Sequence, residues 1–349
     1  MKIADNNTMK QSQSSKRNNS TGPQGISPMY RVITYCMLTI LVVFIFLIAI
    51  GKVSVSSSRK LNPSTNMYLN PALTVLDKKD LVVDFQELRD SLTVKYEVRD
   101  DYLVSIYFEY LPTGENISIN KNEKIWPASL IKIPTAMAVM KKIQDKKWKI
   151  TNELVILDQD KDSEYGTLYR EPTGTTLTIQ KFLEETIINS DNTAHFVLLR
   201  NLEGGELEDV YVHLGMDDII GALKKSPKKE AETDNRITAK RYSIFFRSLY
   251  NSTFLSQEYS QLFLSILEQP PHELLSTGIP DTIKFVHKTR VSLDEAVRAD
   301  SGIVYVPGRP YIVTVMMQQK NKAKLDEQVV DKLFEDISSE IYTYVAKAN

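Results

Sequence analysis

The feature that most constrains this chain is an unbroken apolar run over residues 32–50. The run, VITYCMLTILVVFIFLIAI, contains no charged residue, no proline and no glycine. An α-helix of about 19 such residues is long enough to cross the hydrocarbon core of a bilayer. We therefore predict a single transmembrane helix over 32–50. A cleaved signal peptide is the alternative, but the run is longer than a typical signal h-region and no A-x-A site follows it.

This run and the composition on either side of it predict four regions. Residues 1–31 are polar and have little to bury, which is typical of a disordered tail. Five Lys and Arg residues precede the run and three follow it closely, at Lys52, Arg59 and Lys60, which predicts that this tail lies in the cytoplasm. Residues 51–80 have the composition of a linker, and 81–349 of one globular domain. The predicted localisation is the cell membrane, single-pass, with this domain extracytoplasmic.

Charge and cysteine content exclude several function classes. The net charge of −1 offers no concentrated basic face for nucleic acid. The single cysteine, Cys36, lies in the apolar run, so neither a disulfide framework nor a thiolate metal site is expected. The histidines show no metal-ligand spacing such as H-x-x-x-H. We expect no metal and no cofactor.

Hydrophobic periodicity predicts an α+β domain with strands from both ends and helices between them. A Pro/Gly turn at 112–114 predicts a first hairpin, and Gly308-Arg309-Pro310 predicts a second. The predicted strands are YLVSIYFEYL, ENISIN, DTIKFVHKT, GIVYVP and PYIVTVMMQ. The predicted helices are DFQELRDSLTVKY, Ser129 to about Ile143, TIQKFLEETII, TAHFVLLRNL, TAKRYSIFFRSLY with Thr238 as N-cap, SQEYSQLFLSILEQ and LDEQVVDKLFEDISSEIYTYVAK. We expect a mostly antiparallel sheet flanked by helices, plus an all-helical lobe.

Ser129 and Lys132 form an S-x-x-K motif at the start of a predicted helix. Residues three apart lie on one helical face, so the hydroxyl and the amine can meet. A serine becomes a good nucleophile when a neighbouring base accepts its proton, and a lysine can be that base. The alternative is a surface serine beside a solvated lysine.

Two further motifs are individually ambiguous. Ser190-Asp191-Asn192 lies between two predicted helices, where a side chain can be aimed into a cleft, but Asp191 or Asn192 could simply cap the second helix. His287-Lys288-Thr289 ends a predicted strand, and Lys288 could be an ordinary edge-strand lysine.

In combination the order S-x-x-K, S-D-N, K-T resembles that of class A β-lactamases and penicillin-binding proteins. The surrounding segments IWPASLIKIPTAMAVM, EETIINSDNTAHFVLL and ADSGIVYVPGRPYIVTVMM resemble the corresponding parts of that family. The resemblance extends from about Asp80 to Ala346 and implies a β-lactamase/transpeptidase-like fold.

The resemblance also implies a role for each motif residue. Ser129 would be the nucleophile, Lys132 its proton acceptor and Ser190 a proton shuttle whose behaviour Lys288 tunes. Asn192 would bind the substrate amide, and Thr289 the substrate carboxylate. The backbone amides of Ser129 and Val291 would form the oxyanion hole.

The sequence departs from the family pattern in two places. Arg290 stands where the family has the glycine of K-T-G, and it would either crowd the substrate edge or supply a second cation for a carboxylate. No E-x-x-L-N pattern supplies the glutamate that activates the deacylating water. Glu230 and Glu232 lie in a charged stretch that is more typical of solvated surface.

These observations predict a membrane-anchored serine hydrolase acting through an acyl-enzyme. Its expected partners are a β-lactam or a peptidoglycan-type D-Ala peptide, and the membrane through the N-terminal helix, with no nucleic acid. Weak deacylation is expected. The alternatives are a D,D-peptidase and a non-catalytic cell-envelope binding protein with a degenerate site.

Overall fold

The computed structural model of the chain falls into two units, Met1–Lys60 and Leu61–Asn349. In the first unit, residues 37–39 are helical. No helix within the described parts of the chain is long and apolar enough to cross a membrane. The structure describes residues 37–39, 83–219, 236–292, 296–320 and 326–347. The predicted tail, transmembrane span and linker lie outside these ranges, except for residues 37–39.

The second unit is built from both strands and helices. Its strands are β1 (Tyr102–Tyr110), β2 (Glu115–Ile119), β3 (Glu153–Val155), β4 (Thr176–Thr178), β5 (Phe285–Ser292), β6 (Val297–Val304) and β7 (Tyr311–Gln319). Its helices are α1 (Gln86–Tyr96), α2 (Lys132–Gln144), α3 (Ile179–Ile187), α4 (Asn192–Arg200), α5 (Glu206–His213), α6 (Ala239–Asn251), α7 (Gln257–Leu267) and α8 (Glu327–Lys347).

The main sheet has the strand order β2-β1-β7-β6-β5, and every neighbouring pair is antiparallel. Its first two strands come from the start of the domain and its last three from the end, as the sequence predicts. The Gly308-Arg309-Pro310 segment joins β6 to β7, and Gly308 has a φ of 72°, which glycine adopts without strain. β5 is left at one edge, where a ligand can approach its backbone.

The two faces of the sheet are covered by different hydrophobic clusters. One cluster packs the helical lobe against the sheet, and the other packs α1 and α8 against the opposite face. Val286 of β5 belongs to the first cluster and Phe285 to the second. Because side chains alternate along a strand, Lys288 faces the helical lobe and Thr289 faces α8. Burial of each large apolar side chain contributes about 1.5–3 kcal/mol to stability, so packing on both faces fixes which side chains of the sheet point to each cluster.

Two parts of the fold have no clear sequence signal. The strands β3 and β4 pair with each other but are only three residues long, too short to show alternation. α5 follows Gly205, whose φ of 95° permits a sharp entry into the helix.

The predicted helix from Ser129 is present, but its first turn, Ala128–Ile131, is a 3₁₀ helix.

Candidate active site

Ser129 lies in the 3₁₀ turn that leads directly into α2, and only 4% of it is exposed. The turn is held by a hydrogen bond from the Leu130 amide to the Pro127 carbonyl, at 3.0 Å. From α6, the Tyr242 hydroxyl donates to the Leu130 carbonyl at 3.0 Å. These contacts fix the backbone on both sides of Ser129 at a helix N-terminus, where developing negative charge is favoured.

Lys132 connects the first two motifs. Its side chain is only 2% exposed, and its ammonium donates to Asn192 Oδ1 at 2.7 Å and to the Ser190 carbonyl at 2.5 Å. Lys132 Nζ also lies 3.3 Å from Ser190 Oγ. This arrangement allows a proton to pass between the amine and the Ser190 hydroxyl.

The S-D-N loop is held in place by Asp191, which is fully buried. Asp191 caps α4 by accepting from the Ala194 amide at 2.8 Å. It also accepts from the amides of Thr167 (2.6 Å) and Leu168 (2.9 Å). The capping role is therefore correct for Asp191, while its two neighbours in the motif contact Lys132. Ser190 has a φ of 53°, a left-handed conformation that the buried cap helps to maintain.

The segment that packs against this loop was not identified from the sequence. Gly166 has a φ of 87°, and a Cβ at this position would lie 2.0 Å from the Asp191 carboxylate. In the same segment, Asp162 Oδ1 accepts from Asn192 Nδ2 at 2.9 Å. Gly166 is a recognisable turn signal, but nothing in its local sequence links it to a motif about 25 residues away.

The third motif lies on β5, which packs against the 3₁₀ turn carrying Ser129. Lys288 faces the helical lobe and is 1% exposed. Thr289 faces the other way and donates its hydroxyl to Glu273. β5 continues through Val291 to Ser292, so the strand required by the oxyanion assignment is present. The side chains of Arg290 and Val291 lie outside the described part of the structure, as do Glu230 and Glu232.

A buried pair behind β5 fixes the strand. His287 Nδ1 lies 3.0 Å from Asp300 Oδ1, and the His287 ring stacks on Phe285 with centroids 4.3 Å apart. Asp300 Oδ2 accepts from the Leu275 amide at 3.1 Å. Burial raises the pKa of Asp300 above its usual value, and the nearby Glu273 carboxylate adds to the rise.

His195 lies behind the S-D-N motif on α4. Its Nε2 is 3.1 Å from Thr135 Oγ1, and the ring is buried. Burial, with a further contribution from the positive charge of Lys132, lowers the pKa of His195 to about 3. The ring is therefore neutral near pH 7 and adds no second positive charge beside Lys132.

The described residues contain no cluster of three or more His, Cys, Asp or Glu side chains able to hold a metal ion.

Comparisons with known proteins agree with this fold. Residues 88–345 match the model of the Beta-lactamase enzyme family. A β-lactamase of Bacillus licheniformis is 22% identical over 70% of this chain and 80% of its own length. Beta-lactamase ROB-1 of Haemophilus influenzae is 23% identical over 78% of this chain and 88% of its own length.

Solved structures with the same fold include that of a β-lactamase from Sphaerobacter thermophilus. It aligns with a TM-score of 0.66 at 23% identity, covering 76% of this chain and 98% of that protein. The structure of PBP-A aligns with a TM-score of 0.65 at 19% identity, covering 75% and 98%. A mutant of PBP-A has been solved as an acyl-enzyme complex with penicillin-G.

Proposed function

The chain belongs to the Beta-lactamase enzyme family, and from this premise we propose that it is a serine hydrolase forming an acyl-enzyme at Ser129. The observation that carries the proposal is the buried Lys132 ammonium, which lies within hydrogen-bonding distance of both Ser190 and Asn192. The proposed substrates are β-lactams or peptidoglycan-type D-Ala peptides.

The proposed acylation step uses Lys132 as the proton acceptor. In its neutral form Lys132 takes the Ser129 proton while Ser129 Oγ attacks the substrate carbonyl carbon. The carbonyl carbon–nitrogen bond of the substrate then breaks. The leaving nitrogen receives a proton from Ser190, which is reprotonated from Lys132 over the 3.3 Å separation. The amides of Ser129 and Val291 stabilise the oxyanion.

The proposed substrate-binding residues lie on either side of this reaction centre. Asn192 Nδ2 donates one N–H to Asp162, which leaves its second N–H for the carbonyl of the substrate amide. Lys288 tunes the proton shuttle and adds favourable charge. Thr289, Arg290 and the backbone at Val291 line the strand along which the substrate lies.

Arg290 favours a second candidate function, a non-catalytic cell-envelope binding protein with a degenerate site. A bulky cation in place of glycine beside the oxyanion strand would hinder close approach of the substrate. A D,D-peptidase differs from the leading proposal in its substrate and shares its acylation step.

The experiment that tests the proposal is intact-protein mass spectrometry after incubation with a penicillin. The unmodified chain should gain one penicillin mass, and Ser129→Ala should gain none. Ser256→Ala is the matched control, because Ser256 is exposed at the start of α7 and should leave the adduct unchanged. Undiminished labelling of Ser129→Ala would rule out the assigned nucleophile. A chain that is never labelled would favour the binding protein.

We also propose, from the sequence, that the chain is anchored in the cell membrane through 32–50 with its catalytic domain outside. The full chain should stay with membranes during alkaline carbonate extraction, whereas a chain beginning at residue 61 should be released. Release of both forms would contradict the anchor.

A further inference from the structure

Thr289 has a carboxylate partner inside the protein. Its hydroxyl donates to Glu273 Oε1, and only 5% of Thr289 is exposed. A ligand carboxylate lying along β5 can therefore accept from this hydroxyl only by displacing Glu273, because a hydroxyl has a single hydrogen to donate. Alternatively, the ligand binds Glu273 itself. Among the described residues no donor contacts Glu273 Oε2, so that oxygen is available to accept from a ligand.

The backbone that follows Glu273 is fixed by contacts with the sheet and with α8. Glu273 immediately precedes the 3₁₀ turn Leu274–Gly278. The Leu275 amide donates to the buried Asp300, and the Leu275 carbonyl accepts from Ser338 of α8. Gly278 packs so closely on α8 that a Cβ there would lie 2.4 Å from the Glu335 carbonyl. The position of Glu273 is therefore part of the folded framework.

The surroundings of Glu273 are acidic. Asp300 lies on the same face of the sheet, paired across the strands with Thr289. Burial raises the pKa of Asp331, and the Glu327 and Glu273 carboxylates raise it further, while Arg298 lowers it. Arg298 is itself buried and lies 3.9 Å from Glu327. A free carboxylate placed beside Thr289 would therefore meet the Glu273 carboxylate directly, with Asp300 opposite Thr289 on the neighbouring strand.

We propose that Glu273 determines the substrate specificity of the site: it disfavours substrates that present a free carboxylate at Thr289 and favours those that present an N–H donor or a cation. The inference rests on the proposed acyl-enzyme function. It predicts that acyl donors whose group at this position is an amide or an amine, which can donate to Glu273 Oε2, acylate Ser129 faster than those that present a free carboxylate there.

The test compares benzylpenicillin, which carries a carboxylate, with its methyl ester, which does not. Glu273→Gln keeps an acceptor for Thr289 and removes the charge. It should accelerate acylation by benzylpenicillin by about tenfold, since one repulsive charge in a partly solvated site is removed. Acylation by the methyl ester should change less than about twofold, because the ester carries no charge to repel.

Two further variants separate charge from other effects. Glu273→Asp keeps the negative charge and should give no gain with benzylpenicillin. Glu258→Gln makes the same change in net charge on the exposed first turn of α7 and should leave both rates unchanged. An equal gain with both compounds in Glu273→Gln, or a gain in Glu258→Gln, would overturn the proposal for Glu273 while leaving the acyl-enzyme intact.

A binding measurement keeps the two proposals distinguishable. In the Ser129→Ala background, calorimetry reports noncovalent affinity for benzylpenicillin without any acylation. Glu273→Gln should tighten this affinity by about tenfold for the same electrostatic reason. Unchanged affinity overturns the role of Glu273. Tighter affinity with no adduct in the Ser129 protein supports Glu273 and overturns the acyl-enzyme.

Discussion

Gly166 is the residue on which the position of the S-D-N loop depends most directly. We predict that Gly166→Ala destabilises the domain by about 3 kcal/mol or more, since it combines backbone strain at a φ of 87° with a Cβ 2.0 Å from the Asp191 carboxylate. Urea denaturation measures the change in the free energy of unfolding. Gly174→Ala is the control, because Gly174 has a φ of 96° and nothing within 4 Å of an added Cβ. It should cost only about 1–2 kcal/mol from backbone strain, and equal losses would show that backbone strain alone matters.

His195 makes stability depend on pH. Its pKa is lowered from 6.5 to about 3 in the folded protein, so the unfolded chain binds a proton in that window that the folded protein does not. The His195 contribution is therefore complete above pH 6.5 and is lost as the pH falls towards 3. Between pH 6.5 and pH 5 the loss should be about 2 kcal/mol, at 1.36 kcal/mol for each pH unit.

The variant that tests this is His195→Gln, which removes the titrating ring. Urea denaturation at pH 7 and pH 5 should show a smaller fall in unfolding free energy for the variant than for the unmodified chain. His272→Gln, at an exposed position, should retain the full pH dependence. An identical fall in the unmodified chain and His195→Gln would contradict the prediction.

Sequence reasoning at the residue scale depends on local motifs and does not reveal distant partners. The residue types and order of Ser129, Lys132, Ser190 and Asn192 predict a site, and the structure places Lys132 within hydrogen-bonding distance of Ser190 and Asn192. Glu273 and Asp162 were missed because their partners lie 16 and 30 residues away. Such carboxylates in polar segments have no local feature that distinguishes them from solvated surface.

At the scale of elements, β5 is the edge strand along which we propose that the substrate lies. We predict that Arg290→Gly accelerates acylation by a penicillin, because glycine allows closer approach to the strand backbone. The rate of deacylation should not change, because it depends on a base that activates water, and the Arg290→Gly variant adds no such base. Pre-steady-state mass spectrometry separates the two steps. Slower acylation in the variant would instead identify Arg290 as a useful second cation for a carboxylate.

The long elements of this domain are predictable because their sequences carry a local signal. β1 and β7 are runs of β-branched and aromatic residues that are buried along most of their length and bounded by turns, and α8 has an apolar stripe of helical period. The pair β3 and β4 was missed because a three-residue strand carries no period. The turn Leu274–Gly278 was missed for a similar reason, and its place is set by Asp300 and by α8 instead.

At the scale of the whole molecule, the proposed active site lies where the helical lobe meets one edge of the sheet. Ser129 and Lys132 come from the start of the lobe, Ser190 and Asn192 from its interior, and Lys288 from the last part of the chain. The antiparallel sheet, built from both chain ends, makes this convergence possible. The order of elements predicts the architecture, but the side-chain partners that complete the site depend on packing between segments distant in sequence.

The intact domain should form a penicillin adduct at Ser129 that persists, because the sequence contains no recognisable glutamate pattern for activating the deacylating water. A general base typically contributes about 10²–10⁴-fold, so its absence should be visible as an adduct that outlasts the free penicillin. Time-resolved mass spectrometry follows the formation and loss of the adduct in one experiment. Rapid turnover would mean that another carboxylate supplies the base. Variants of Glu230, Glu232 and Asp162, each to its amide, would then identify that residue by a selective slowing of deacylation.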